Sequence, residues 1–192
     1  MKLKLPKIIF GTSGLGNLYK STTQDEKTAI IREALQHSDI PVVFDSAGKY
    51  GAGLALETLG AALDSLGIDP AKVIISNKLG WLRTPLETPE PQFEPGVWKD
   101  LKHDARQVIS YDGILKCYKQ GNELLGNYNA RMVSVHDPDE YLAAASGEID
   151  LAKRKKAIQD AYRALNDLKL QGEVDSVGIG AKDWKTIRDI YR

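Results

Sequence analysis

Residues 42–53 read VVFDSAGKYGAG. An apolar run ends in an acid, Asp45, and a tyrosine, Tyr50, follows after one tight turn, with glycines at 48, 51 and 53 before a helical pattern begins. A short, continuous apolar segment suits a strand covered on both faces, as in a parallel sheet flanked by helices. The rest of the chain repeats the arrangement. KIIFGT ends at Thr12, KVIISNK at Lys78, RMVSVH at His136 and VDSVGIG at Gly180.

Helical patterns fill the intervals. Thr23-Gln-Asp-Glu26 has the form of a capping box ahead of Ile30, Ile31, Ala34 and Leu35. Leu56, Leu59, Ala62, Leu63 and Leu66 form a second stripe stopped by Gly67, and Ser110 can cap a third helix carrying Ile114, Leu115, Leu124 and Leu125. A fourth runs from about Leu151 through Ala161, Leu165 and Leu168 to Gly172, and a last one begins in KDWKTIRDIYR. Units of about thirty residues or more, strand then helix, are what a βαβ repeat requires. The long interval after the third strand holds LGWLRTPLETPEPQFEPGVWKDLKHDA, with four prolines and two tryptophans. A loop of that length usually covers a site, so residues 79–108 are expected to form a lid-like insertion. Trp81, Phe93 and Trp98 disfavour disorder there.

The 192 residues suffice for one domain with a sizeable core, and 26 basic against 26 acidic side chains argue against nucleic acid or an anionic membrane as the partner. The run KRKK at 153–156 is expected to be a solvated helix face. Cys117 is the only cysteine, which excludes an internal disulfide and suits a reducing compartment. No apolar run reaches the length of a membrane span, and MKLKLPK lacks the apolar region of a signal peptide. A soluble, cytoplasmic protein is expected.

The residues with chemistry to offer stand at successive strand ends: Asp45 on the second, Lys78 on the third, His136 on the fourth, with Tyr50 one turn beyond Asp45. In parallel α/β folds the loops at that edge converge on one mouth. A free tyrosine ionises near pH ~10, too high for efficient proton exchange at neutrality. A neighbouring ammonium favours the phenolate, an aspartate holds that ammonium charged and oriented, and a neutral histidine can hydrogen-bond a substrate oxygen. The set suits proton transfer in a C–OH/C=O interconversion. Singly, each residue has an ordinary reading: a turn aspartate, an exposed lysine, a loop His-Asp pair. No further ligands stand at metal-binding spacing. Their joint occurrence at three successive strand ends favours the chemical reading.

These residues resemble the aldo-keto reductase superfamily. Asp45, Tyr50, Lys78 and His136 match its Asp, Tyr, Lys and His in order, strand and spacing. FDSAGKYGAGLALETLGAAL matches its strand-turn-helix motif, with Glu57, Leu59 and Gly60 in the last conserved-pattern places. IIFGTSGLGNLY, SNKLGW and SVHDPDEYL resemble the aldose 1-dehydrogenase branch, which includes the L-fucose and D-threo-aldose dehydrogenases. The resemblance implies a (β/α)8 TIM barrel, NAD or NADP as cofactor, and oxidation of the anomeric carbon of a free sugar to a lactone, or more broadly a carbonyl/alcohol exchange. It implies that Tyr50 takes the hydroxyl proton, that Lys78 and Asp45 tune it, and that His136 orients the substrate. It places Gly11, Thr12 and Gly180 beside the nicotinamide, and makes Trp81 and Asp137 candidate sugar contacts.

Two departures accompany the resemblance. Where many of these reductases carry a Ser-Asn pair after the fifth strand, this chain has GIGAKDW, with Gly180 and Ala181 in the pair's place and Lys182 or Asp183 as the nearest polar substitutes. A barrel needs eight strands, and five are legible. Residues 1–192 are therefore expected to be a single domain, the N-terminal part of a longer barrel, whose open edges could pair with a second copy.

A Rossmann dehydrogenase is the main rival, since Gly11-Thr-Ser-Gly14-Leu-Gly16 follows a strand and Asp45 ends the next. Its helix would begin near Thr23, too far from the last glycine to hold a phosphate on its N-terminus, and no Tyr-x-x-x-Lys occurs. A P-loop fails because Tyr50 follows Gly48-Lys49 and Val43 replaces the first glycine. A non-catalytic relative acting as an interaction module is the alternative of a different class. Nucleotide affinity separates it from an enzyme.

Overall fold

A computed structural model describes residues 5–38 and 40–191; the first four residues of MKLKLPK and the last residue of the C-terminal helical pattern lie outside them. In chain order the elements are β1 (Phe10–Gly11), α1 (Gln24–Gln36), β2 (Val42–Ala47), α2 (Leu54–Ser65), β3 (Val73–Leu79), β4 (Trp81–Pro85), β5 (His103–Gln107), α3 (Tyr111–Leu125), β6 (Ala130–His136), α4 (Pro138–Ala143), α5 (Glu148–Leu170), β7 (Ser176–Gly180) and α6 (Trp184–Tyr191). Five strands form one parallel sheet in the order β1-β2-β3-β6-β7, and β4 and β5 form a separate antiparallel pair. Each parallel strand is followed by a helix, giving five successive β/α units of a (β/α)8 barrel.

Local chemistry sets the helix starts. Thr23 Oγ1 accepts from the Glu26 amide at 3.2 Å while Glu26 Oε2 accepts from the Thr23 amide at 2.8 Å, a complete capping box. Ser110 Oγ accepts from the Gly113 amide at 3.0 Å to open α3. Strand alternation then sorts the side chains: Val42 and Phe44 join the core, while Val43, Asp45 and Ala47 point to the opposite face. The core lies between the sheet and its helices, where Phe44, Ile75, Leu56, Leu59, Leu63, Ile114, Leu125 and Leu165 are fully buried. Burying each such side chain is worth about 1.5–3 kcal/mol.

Three details differ from the sequence expectation. Only two residues of KIIFGT are paired, Phe10 with Phe44 and Gly11 with Asp45; Ile8 and Ile9 remain exposed. The two ends of the 79–108 insertion pair as strands, which the sequence did not suggest, with Trp81 opposite Gln107 and Pro85 opposite His103. Its connecting segment folds back so that Phe93 and Trp98 pack with Ala52 and Ala105, and Leu18 bridges to Trp98. A short helix, α4, precedes α5 and was not legible in the sequence. No helix among the described residues is long and apolar enough to cross a membrane.

Candidate active site

Strand register builds the centre of the site. Ala47 lies opposite Lys78, so Asp45, two residues back on the same face, is a diagonal neighbour of Lys78. The lysine stem spans the gap: Lys78 Nζ donates to Asp45 Oδ2 at 2.5 Å and to the Tyr50 hydroxyl oxygen at 3.1 Å. Tyr50 is brought there by the turn after β2, where its amide donates to the Ala47 carbonyl at 3.1 Å. The next residue must be glycine. Gly51 has φ +61°, and a Cβ on it would lie 2.3 Å from the Gly16 carbonyl oxygen.

His136 ends β6 opposite Gly180, and the Asp137 amide donates to the Gly180 carbonyl at 2.7 Å. The imidazole meets the Tyr50 ring edge-on, with centroids 5.6 Å apart and planes at 85°. His136 is only 5% exposed. Burial, and then the ammonium groups of Lys78, Lys49 and Lys182, hold it well below the usual histidine range, with Glu140 opposing weakly. It is therefore neutral at pH 7, and its Nδ1 is buried without a partner.

Beside this group lies a buried cation that sequence reasoning missed. Lys49 is 4% exposed, and its Nζ meets Glu94 of the β4–β5 connection at 2.8 Å, Asp137 at 2.9 Å and Glu140 at 3.5 Å. Burial pushes its ammonium toward the neutral form, but the hydrogen bonds to Glu94 and Asp137 outweigh burial and hold it above the usual lysine range. Glu140 also pairs with Lys182. One lysine thus ties together the turn after β2, the hairpin connection and the start of α4.

Tyr50, Lys78 and His136 line one open cavity of about 500 Å³. Asp45 stands behind Lys78. Of the other expected residues, Gly180 and Asp137 line the cavity. Gly11 and Thr12 instead line an apolar cleft against α1, and Thr12 is occupied in donating to the Asp45 carbonyl; Ser13, the next residue, faces the cavity. Trp81 is also outside the lining. Its ring packs on Phe93 at 5.9 Å between centroids, and Lys49 Nζ lies 5.2 Å from its centroid. Trp98, Glu94 and Tyr19 take the wall. Trp98 had only its aromatic character to mark it. Nothing in the local sequence marks Glu94, which is placed by the path of the hairpin. Among the described residues, no group of three or more His, Cys, Asp or Glu is arranged to hold a metal ion.

The five successive β/α units are those of an aldo/keto reductase barrel, and the sequence comparison gives the same family. The chain belongs to the aldo/keto reductase family, matching it over residues 7–192. It is similar to the pyridoxal 4-dehydrogenase of Microbacterium luteolum, 29% identical over 187 residues that cover 93% of this chain and 53% of that protein. It is also similar to the D-threo-aldose 1-dehydrogenase of a Pseudomonas species, 28% identical over 186 residues, 93% of this chain and 51% of that protein. The chain thus spans about half the length of the curated relatives it matches. In fold it resembles the glycerol dehydrogenase of Gluconobacter oxydans, with a TM-score of 0.63 and 19% identity over 96% of this chain and 47% of that one. It also resembles an aldo-keto reductase of Klebsiella pneumoniae solved with NADPH, with a TM-score of 0.57 and 19% identity over 94% of this chain and 47% of that one.

Proposed function

We propose that this chain carries the proton-transfer half of an NAD(P)-dependent oxidoreductase site, of the aldose 1-dehydrogenase type, that oxidises the C1 hydroxyl of a free sugar to a lactone. The observation that carries the reading is Lys78 placed between Asp45 and Tyr50, with neutral His136 against the Tyr50 ring and all but Asp45 lining one cavity. Tyr50 Oη takes the proton of the substrate hydroxyl. The Lys78 ammonium, 3.1 Å away, stands beside that oxygen and offsets its negative charge, and Asp45 keeps the ammonium in place. Neutral His136 hydrogen-bonds the same substrate oxygen and sets its direction toward Tyr50.

The residues present fit the nicotinamide end of the cofactor. A Cβ on Gly180 would lie 2.9 Å from Lys78 Cδ and press on that lysine's stem; with Ala181, Gly180 forms a bare wall for a planar ring, and Ser13 lines the cavity at the end of β1. NAD or NADP, when bound, supplies the acceptor for the C1 hydride. The relatives' names, a pyridoxal dehydrogenase and an aldose dehydrogenase, and the NADPH of the Klebsiella pneumoniae structure support this class of chemistry.

The test is NAD and NADP binding by cofactor fluorescence, with L-fucose and D-arabinose oxidation followed in the same samples. Tyr50→Phe is expected to lower turnover by about 10²–10⁴-fold, the usual contribution of general acid-base catalysis, with the cofactor dissociation constant nearly unchanged. Ordinary turnover in that variant would sink the mechanism. A chain that binds neither nucleotide would be an interaction module instead.

A further inference from the structure

The cavity wall contributed by the hairpin connection carries an acidic side chain, Glu94. Glu94 lines the cavity with its carboxylate held at both oxygens: Lys49 Nζ lies 2.8 Å from Oε1, and Trp98 Nε1 donates to Oε2 at 2.7 Å. Two fixed donors leave each oxygen a further lone pair, so the group is oriented in advance to accept from something else. Its backbone is also held in an unusual state, with φ 45° at a non-glycine residue, a conformation that costs energy and persists where the surroundings demand it.

The neighbours narrow the chemistry. Three lysines line the cavity and each already meets a carboxylate: Lys49 those of Glu94 and Asp137, Lys182 that of Glu140, and Lys78 that of Asp45. With those partners counted, four carboxylates (Asp45, Glu94, Asp137 and Glu140) stand against three ammonium groups, and an anionic group beside Glu94 would meet a carboxylate whose cation is shared with Asp137. Apolar faces complete the surroundings. The Trp98 ring lies 6.0 Å from that of Tyr50, and Tyr19, 72% exposed and at φ 58°, stands at the rim because its amide is held by the Val97 carbonyl at 2.8 Å. A fixed carboxylate between aromatic faces matches a ring with hydroxyl donors on its edge and C–H groups on its faces.

We propose that Glu94 is a specificity-determining residue whose carboxylate accepts hydrogen bonds from the hydroxyls of a neutral polyhydroxylated substrate, so that the site favours neutral sugars over sugar acids. The assignment rests on reading this cavity as the substrate site, and it concerns recognition rather than the chemical step.

Calorimetric binding separates the two. L-Fucose and L-galacturonate share a ring and differ only at C6, and both are titrated into the chain without nucleotide, so that neither a hydride acceptor nor a hydride donor is present. The wild type is expected to bind L-fucose at least about tenfold more tightly than L-galacturonate. Glu94→Gln, which keeps length and removes charge, is expected to weaken L-fucose binding about tenfold or more, the usual range for a hydrogen bond to a charged group, and to bring the preference below about threefold. A residue that merely held the hairpin in shape would weaken both ligands alike and leave their ratio unchanged. Equal binding of the two sugars by the wild type, or an unchanged ratio in the variant, overturns the proposal. Glu94-dependent binding without any NAD(P)-linked oxidation would leave the subsite standing and remove the dehydrogenase reading. Oxidation with an unchanged ratio would do the reverse.

Discussion

Lys78 donates at once to Asp45 and Tyr50, and both contacts follow from strand register and one turn rather than from any long loop. That is why this trio was legible: each member closes a β-branched run or follows it directly. His136 was legible for the same reason, but its state was not, because burial and three lysines from other elements decide it. The consequence for stability has a definite sign. In the unfolded chain His136 binds a proton below about pH 6.5, whereas the folded site keeps it neutral to much lower pH. The unfolded state therefore binds more protons there, and stability falls as pH drops below about 6.5. Urea titrations between pH 5 and 8 are expected to show this loss, and His136→Gln is expected to flatten it. A slope unchanged in the variant would mean that the imidazole is not held neutral. Lys49 went unnoticed because a lysine in a polar turn is ordinarily exposed. What buries it are carboxylates far along the chain.

At the level of elements, helices were readable where a cap and an apolar stripe coincide. Thr23 shows this, and Thr23→Ala is expected to cost about 1 kcal/mol in a denaturation experiment, the typical value of an N-cap. The hairpin was unreadable as strands because WLRTP and HDARQ carry neither strict alternation nor a run of β-branched residues, and most of their side chains are only half-buried. Six residues of α4 are too few to show a helical period. The turn after β2 makes the sharpest demand. Gly51→Ala combines a positive φ with a contact against the Gly16 carbonyl, so the turn has to move and carry Tyr50 with it. The expected outcome is a destabilised chain whose turnover falls more than its cofactor affinity. A variant as active and as stable as the wild type would show the turn to be more tolerant than its geometry implies.

Across the whole molecule, the sheet order follows the chain order, and fold class was readable because every parallel strand repeats one pattern with a helix after it. What could not be read was how distant parts are fastened. Lys49 fastens three of them. Lys49→Met would leave Asp137, only 5% exposed, without its cation. Removing one partner of a buried pair costs about 3–5 kcal/mol, and since Glu94 is one-third exposed the lower end is expected, with a matching loss in urea midpoint. A change under about 0.5 kcal/mol would class the pair with ordinary surface bridges.

The sequential strand order also bears on how the chain comes into being. Each strand pairs with the one made just before it in the sheet, so a nascent chain can bring Asp45, Tyr50 and Lys78 together once β3 has emerged. Lys49 emerges with them, but its anions do not; Glu94 follows later and Asp137 later still, at the end of β6. Until then the lysine lacks the carboxylates that bury it, and the wall they form with it has no shape. The Asp45, Tyr50 and Lys78 trio is thus the oldest part of the cavity on the ribosome, and the Lys49 carboxylate cluster is the youngest.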